Sequence, residues 1–139
     1  MPRMTAEQIT TFLADVGFHP ALEFARIETI AERAITLRMP FRTDFIRPGG
    51  TLSGPSMMTL ADTTAFFLIL AMQGPLALAV TSSLAINFLA KPAQADIVAE
   101  GRMLKLGKKL AVIAVEMRSE GSDDLVAHAT VTYALPTKA

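Results

Sequence analysis

Asp62 is the lone carboxylate in a stretch where charge is expensive. From Ser56 to Met72 every residue except Ser56, Thr59, Asp62, Thr63 and Thr64 is apolar, so a helix here has hardly any face to turn to water. An ionised group about two turns inside such a rod costs several kcal/mol unless it is paired, hydrogen-bonded or opens into a wet pocket. A carboxylate kept there is the first candidate for chemistry, and its chemistry would be that of a general base or a nucleophile.

The helix that carries it is bounded by local signals. Ser53 or Gly54 can stand at the cap, Pro55 fits the first turn where its missing N–H is not needed, and Gly74-Pro75 stops the helix. Its apolar part is shorter than the roughly 20 residues needed to span a bilayer and contains Asp62 and three threonines, so a membrane helix is not expected. Upstream, Thr5 to Val16 reads as an amphipathic helix. Thr5 and Gln8 suit a capping box, and Ile9, Phe12, Leu13 and Val16 share one face. This helix can lie against a sheet or act as a lid over one end of a pocket.

The rest of the chain has strand character. Leu22 to Phe41 holds two alternating runs separated by Ala31-Glu32, which predicts a hairpin, and Arg42 to Leu52 is a turn-rich loop feeding the long helix. Beyond that helix, four runs (79–89, 97–106, 110–118 and 125–135) are broken by Lys91-Pro92-Ala93, Gly107-Lys108 and the segment Glu120 to Asp124. Three consecutive hairpin-like connections predict an antiparallel sheet. The expected fold class is α+β: about six strands curled round one long buried helix, with a short helix in front, all in a single domain over residues 1–139.

Composition excludes several functions. Thirteen basic residues balance thirteen acidic ones, which leaves no broad electrostatic footprint for nucleic acid, and with one tyrosine and no tryptophan, platforms for stacking bases are scarce. No cysteine is present, so disulfides, thiolate catalysis and Cys-type zinc sites are out. His19 and His128 are far apart and lack metal-motif spacing; His19 reads as a loop residue and His128 as a structural one. No metal is expected. The N-terminus lacks the apolar core of a secretory signal, which makes the cytoplasm the expected location. A chain 51% hydrophobic suggests surplus apolar surface covered by a second subunit.

Several motifs fall in a familiar order: the helix opening, Leu60-Ala61-Asp62, Val80-Thr81, Ile86-Asn87-Phe88-Leu89, Lys91-Pro92-Ala93, Leu106-Gly107-Lys108 and Val126-Ala127-His128-Ala129-Thr130. Together, from about Arg42 to Leu135, they resemble the hotdog-fold thioesterases, and among these the PaaI-like, phenylacetic-acid-degradation type. The resemblance implies hydrolysis of an acyl-coenzyme A thioester, with no other cofactor, at a site between two subunits of a homodimer that pairs into a homotetramer. In the family pattern an asparagine, a glycine and a His-Gly-Gly precede Leu-Ala-Asp. Here those offsets fall on Arg47, Gly50 and Ser53-Gly54-Pro55, so Gly50, Gly54 and Asp62 are kept while the asparagine and histidine are replaced. Thr81 falls where some relatives place a hydroxyl that steadies the attacking water.

On that reading Asp62 is base or nucleophile, and the Gly54 N–H, at a helix N-terminus, is the oxyanion donor. Eight residues of helix separate the two by about 12 Å. One carbonyl cannot touch both, so Gly54 of one chain would meet Asp62 of its mate. Ser53 would cap the helix. Arg47 could pair with Asp62, hold a substrate carboxylate or face solvent, and Gly50, Ser53, Met58 and Phe66 join it as substrate-binding candidates. Arg102, Lys105, Lys108 and Lys109, around the Gly107 turn, could hold the coenzyme A phosphates or simply solvate a hairpin tip. Alternatives are a non-catalytic acyl-binding or sensing protein on the same fold, and a hydroxyacyl dehydratase, which lacks its histidine here.

Overall fold

A computed structural model of the chain describes residues 1–17, 24–75 and 78–136. Its elements run α1 (Ala6–Asp15), β1 (Arg26–Ala31), β2 (Ala34–Met39), a single 3-10 turn (Thr43–Phe45), α2 (Gly54–Gln73), β3 (Val80–Phe88), β4 (Ile97–Leu106), β5 (Leu110–Ser119) and β6 (Leu125–Ala134). His19 and the start of the first predicted run lie outside the described residues.

The expected architecture is present: a six-stranded, fully antiparallel sheet with α2 packed on one face. Strand order is β1-β2-β4-β5-β6-β3. This corrects one expectation. Lys91-Pro92-Ala93 does not close a hairpin, because β3 leaves β4 to pair with β6 at the far edge, while β4 pairs with β2 and β5. The other two connections are hairpins. Both edge strands carry a bulge, β1 between Ile27 and Thr29 and β3 between Thr81 and Ser83, but they differ in charge: β1 carries Arg26 and Glu28, which discourage edge pairing, whereas β3, VTSSLAINF, has none.

The helix ends follow local chemistry. Ser53 Oγ accepts the Ser56 N–H at 3.2 Å as the cap, Pro55 occupies the first turn, and Gly74, at φ +97°, closes the helix with its N–H on the Leu70 carbonyl at 2.9 Å. Fourteen of the 20 residues of α2 are buried. The helix is long and apolar enough to cross a membrane, but most of it is already buried inside the fold. Its face with Pro55, Met58 and Thr59 is the one left open, and Asp62 sits half-buried on it.

Close approach of α2 to the sheet depends on Gly101 in β4. A Cβ there would stand 2.9 Å from Thr64 Cγ2 and 3.1 Å from Ile35 Cγ2. At the N-terminus, the capping box forms as expected: Thr5 Oγ1 accepts the Gln8 N–H at 3.1 Å and Gln8 Oε1 accepts the Thr5 N–H at 2.9 Å. Ile9 and Leu13 then bury the inner face of α1 completely.

Candidate active site

Asp62 is fixed by two strands that are remote in sequence. Thr81 on β3 and Tyr133 on β6 are directly opposite partners, so their side chains leave the sheet on the same face and at the same level. Thr81 Oγ1 donates to Asp62 Oδ1 at 2.6 Å, and the Tyr133 hydroxyl donates to the same oxygen at 2.9 Å, standing 3.3 Å from the Asp62 carbonyl as well. Among the described residues no donor reaches Oδ2. The cost of a carboxylate in an apolar helix is thus offset by two hydroxyl hydrogen bonds on one oxygen.

Tyr133 is itself held tightly. It is 4% exposed, and its ring lies nearly parallel to Phe66, one helical turn beyond Asp62, with centroids 6.0 Å apart. Burial, and then the neighbouring Asp62 carboxylate, push its hydroxyl well above the ordinary tyrosine value, so it keeps its proton at any working pH. Around this polar triad opens a cavity of about 630 Å³, walled by Phe66, Leu78, Ala79, Val80 and, from the N-terminal helix and its end, Leu13, Val16 and Gly17. The first helix and its end therefore form one wall of the Asp62 cavity.

Gly54 faces elsewhere. As the first residue of α2 its N–H is one that the helix cannot pair internally. It borders a second cavity of about 620 Å³ that includes Arg47, Ser53, Met57, Phe88, Leu89 and Lys91, and shares no lining residue with the first. A Cβ on Gly54 would meet the Phe88 ring at 3.3 Å, so glycine keeps that approach open.

The remaining candidates divide. Arg47 is exposed at the rim of the Gly54 cavity and does not line the cavity that holds Asp62. Ser53 is engaged as the cap and also donates to Ser56 Oγ at 3.0 Å. Gly50 does not line the cavity; at φ +80° it makes a turn, and its carbonyl accepts from Gln94 Nε2 at 2.8 Å. Met58 is 42% exposed and lines neither cavity, although it lies one turn before Asp62 on the same face; Met57 takes the pocket position instead. Arg102, Lys105, Lys108 and Lys109 are exposed and line neither large cavity. Their hairpin tip is nevertheless at the Asp62 end of the sheet, since Leu110 pairs with Ala134, which pairs with Val80. His128 lies on the outer face between Glu116 and Asn87, away from α2.

Two participants were not singled out from sequence. Tyr133 is the only tyrosine in the chain, and that uniqueness was its sole signal. Lys91 was visible within Lys91-Pro92-Ala93 but had no assigned role; it stands with Arg47 as a cation at the Gly54 cavity. Among the described residues no three acidic or histidine side chains converge as a metal-ligand set.

Comparisons with known proteins place the fold. The model of the Thioesterase superfamily matches residues 49–126. A candidate thioesterase from Silicibacter sp. TM1040, known from its crystal structure, is 37% identical, with 98% of this chain and 94% of that one covered and a TM-score of 0.89. Zebrafish thioesterase superfamily member 2 is 24% identical over 96% of this chain and 99% of that one, with a TM-score of 0.81. A thioesterase from Haemophilus influenzae is 18% identical over 96% and 92% of the two chains, with a TM-score of 0.83. The last two show likeness of fold. Comparison with functionally curated proteins gave no match.

Proposed function

Because the chain belongs to the thioesterase superfamily and is a thioester hydrolase, we propose that it hydrolyses small or medium acyl- or aryl-acyl-coenzyme A thioesters in the manner of the PaaI-like type. The observation that carries this reading is Asp62, held at Oδ1 in an apolar cavity with Oδ2 unengaged by the described residues. Such a cavity suits an uncharged acyl or aryl group, since among the described residues Asp62 and Tyr133 are the only titratable side chains in its lining.

As general base, Asp62 takes a proton from water while the water oxygen bonds to the thioester carbonyl carbon. The oxyanion that forms is stabilised by the Gly54 N–H at the start of α2. Collapse re-forms the carbonyl and breaks the C–S bond, and the departing thiolate takes the proton back from Asp62. As nucleophile, the same carboxylate would first attack the carbonyl carbon and expel the thiolate to form a mixed anhydride; water then opens the anhydride to the free acid and the regenerated Asp62 carboxylate, and the proton released goes to the thiolate. A site assembled from Gly54 of one subunit and Asp62 of its partner is supported by their bordering separate cavities within one chain. The uncharged β3 edge suits pairing with a second copy, and two such dimers form the tetramer. Arg102, Lys105, Lys108 and Lys109 serve the phosphates of coenzyme A. The protein works in the cytoplasm without a further cofactor.

The test is thiol release from a panel of acyl- and aryl-coenzyme A substrates, with wild type beside Asp62→Asn. The substitution keeps shape and hydrogen bonding but removes the base, and a loss on the order of a hundredfold or more is expected. Full activity in Asp62→Asn would overturn the assignment of Asp62. Binding of every substrate without turnover by wild type would overturn the proposed substrate class.

A further inference from the structure

We propose that Tyr133 is a positioning residue of the reaction: together with Thr81 it anchors Asp62 through Oδ1, so that Oδ2 alone takes the proton from water or attacks the thioester. The inference rests on the thioesterase reading of Asp62 given above.

A free carboxylate rotates about its last torsion and presents either oxygen, over a broad range of angles. Here both donors meet one oxygen, Thr81 at 2.6 Å and Tyr133 at 2.9 Å, which makes the two oxygens inequivalent. The donors sit on rigid elements. They are opposite partners on adjacent strands, and a catalytic group held from paired strands is placed more accurately than one held from a loop. The Tyr133 ring is also stacked on Phe66, which belongs to the helix that carries Asp62, so sheet and helix are registered to each other at this point.

The direction of the hydrogen bond is settled by the surroundings. From α1 the cavity receives Leu13, from the helix's C-cap Val16, from β3 Val80 and Thr81, from α2 Phe66, and none of these titrates. Tyr133 is the one titratable group facing Asp62 from β6 among the lining residues, and burial together with the Asp62 charge keeps it protonated. It can only donate to an ionised carboxylate. Tyr133 does not need to touch substrate for this role, because its hydroxyl is already committed to Asp62.

The test uses the thioester that wild type turns over best. Tyr133→Phe keeps the ring and its stacking while removing the hydroxyl. Its kcat is expected to fall about tenfold to a hundredfold, as for the loss of a hydrogen bond to a charged group, with KM within about twofold of wild type. In an Asp62→Asn background the same change should leave the residual rate unaltered, since no carboxylate remains to be oriented. Thr81→Val should reproduce the kcat loss and Thr81→Ser should restore activity, which provides a second route through the other hydroxyl should Tyr133→Phe fold poorly. Wild-type kcat in Tyr133→Phe, a loss confined to KM, or an equal loss in the Asp62→Asn background would each overturn the proposal while leaving Asp62 as the base. An inactive Asp62→Asn beside a fully active Tyr133→Phe separates failure of this inference from failure of the hydrolase reading.

Discussion

Gly54 and Asp62 stand on the same helix, yet they border two different cavities that have no lining residue in common. Eight residues of α-helix set them about 12 Å apart, and a carbonyl carbon with its oxygen spans far less. A single chain therefore holds two half-sites, a carboxylate in an apolar chamber and a helix-opening amide beside two cations.

If the halves combine across subunits, two inactive variants should complement one another. Gly54→Val fills the approach beside Phe88, and Asp62→Asn removes the base. Each alone is expected to be inactive as a homodimer, whereas co-expression in equal amounts should recover about a quarter of wild-type activity, because half the dimers are mixed and each mixed dimer holds one intact site. Thiol release from the co-purified proteins checks this, and no recovery in confirmed mixed dimers would refute the shared site.

Val16, half-exposed at the end of the first helix, helps close the Asp62 cavity. Val16→Phe should shorten the tolerated acyl chain: kcat/KM for the longest good substrate is expected to fall about tenfold relative to a two- or three-carbon acyl group, in line with the cost of a lost or crowded methylene or two. A parallel loss for all chain lengths would remove α1 from the specificity pocket.

Gly101 lets the long helix lie close to the sheet and lines neither the Asp62 nor the Gly54 cavity. Gly101→Ala places a methyl against Thr64 and Ile35 and is expected to destabilise the fold by about 1–3 kcal/mol through overpacking. Thermal unfolding measures this as a lowered Tm, and an unchanged Tm would mean that α2 has room to move away.

Asp96 predicts how the fold responds to acid. Its Oδ1 accepts the Phe41 N–H at 2.7 Å and its Oδ2 the Arg38 guanidinium at 3.2 Å; the backbone N–H first, and then Arg38, hold its carboxyl below the ordinary value of 3.8. A carboxyl lowered on folding stabilises above its unfolded value and loses that contribution as pH falls through its folded one. Asp96→Asn should therefore be less stable than wild type at neutral pH, with the gap in Tm closing as pH drops below about 4. A gap independent of pH would show that the charge of Asp96 contributes nothing.

Features that depend on neighbours along the chain are legible in the residues alone. Ser53, Pro55 and Gly74 set the ends of α2 because capping and backbone conformation are local effects, and the alternating runs set the strands because burial on one face imposes a period of two. The lone carboxylate at Asp62 was conspicuous for the same reason: its cost is readable from the apolar residues on either side. Which strands meet emerges only in the folded chain. Lys91-Pro92-Ala93 looked like the close of a hairpin, but β3 crosses to β6, and that pairing alone brings Thr81 opposite Tyr133 and both onto Asp62. Local propensity carries no information about such a crossover. Partner choice is set by which apolar faces the long helix must cover, so the tyrosine that anchors the carboxylate was, in the sequence, only one more aromatic residue in a final strand.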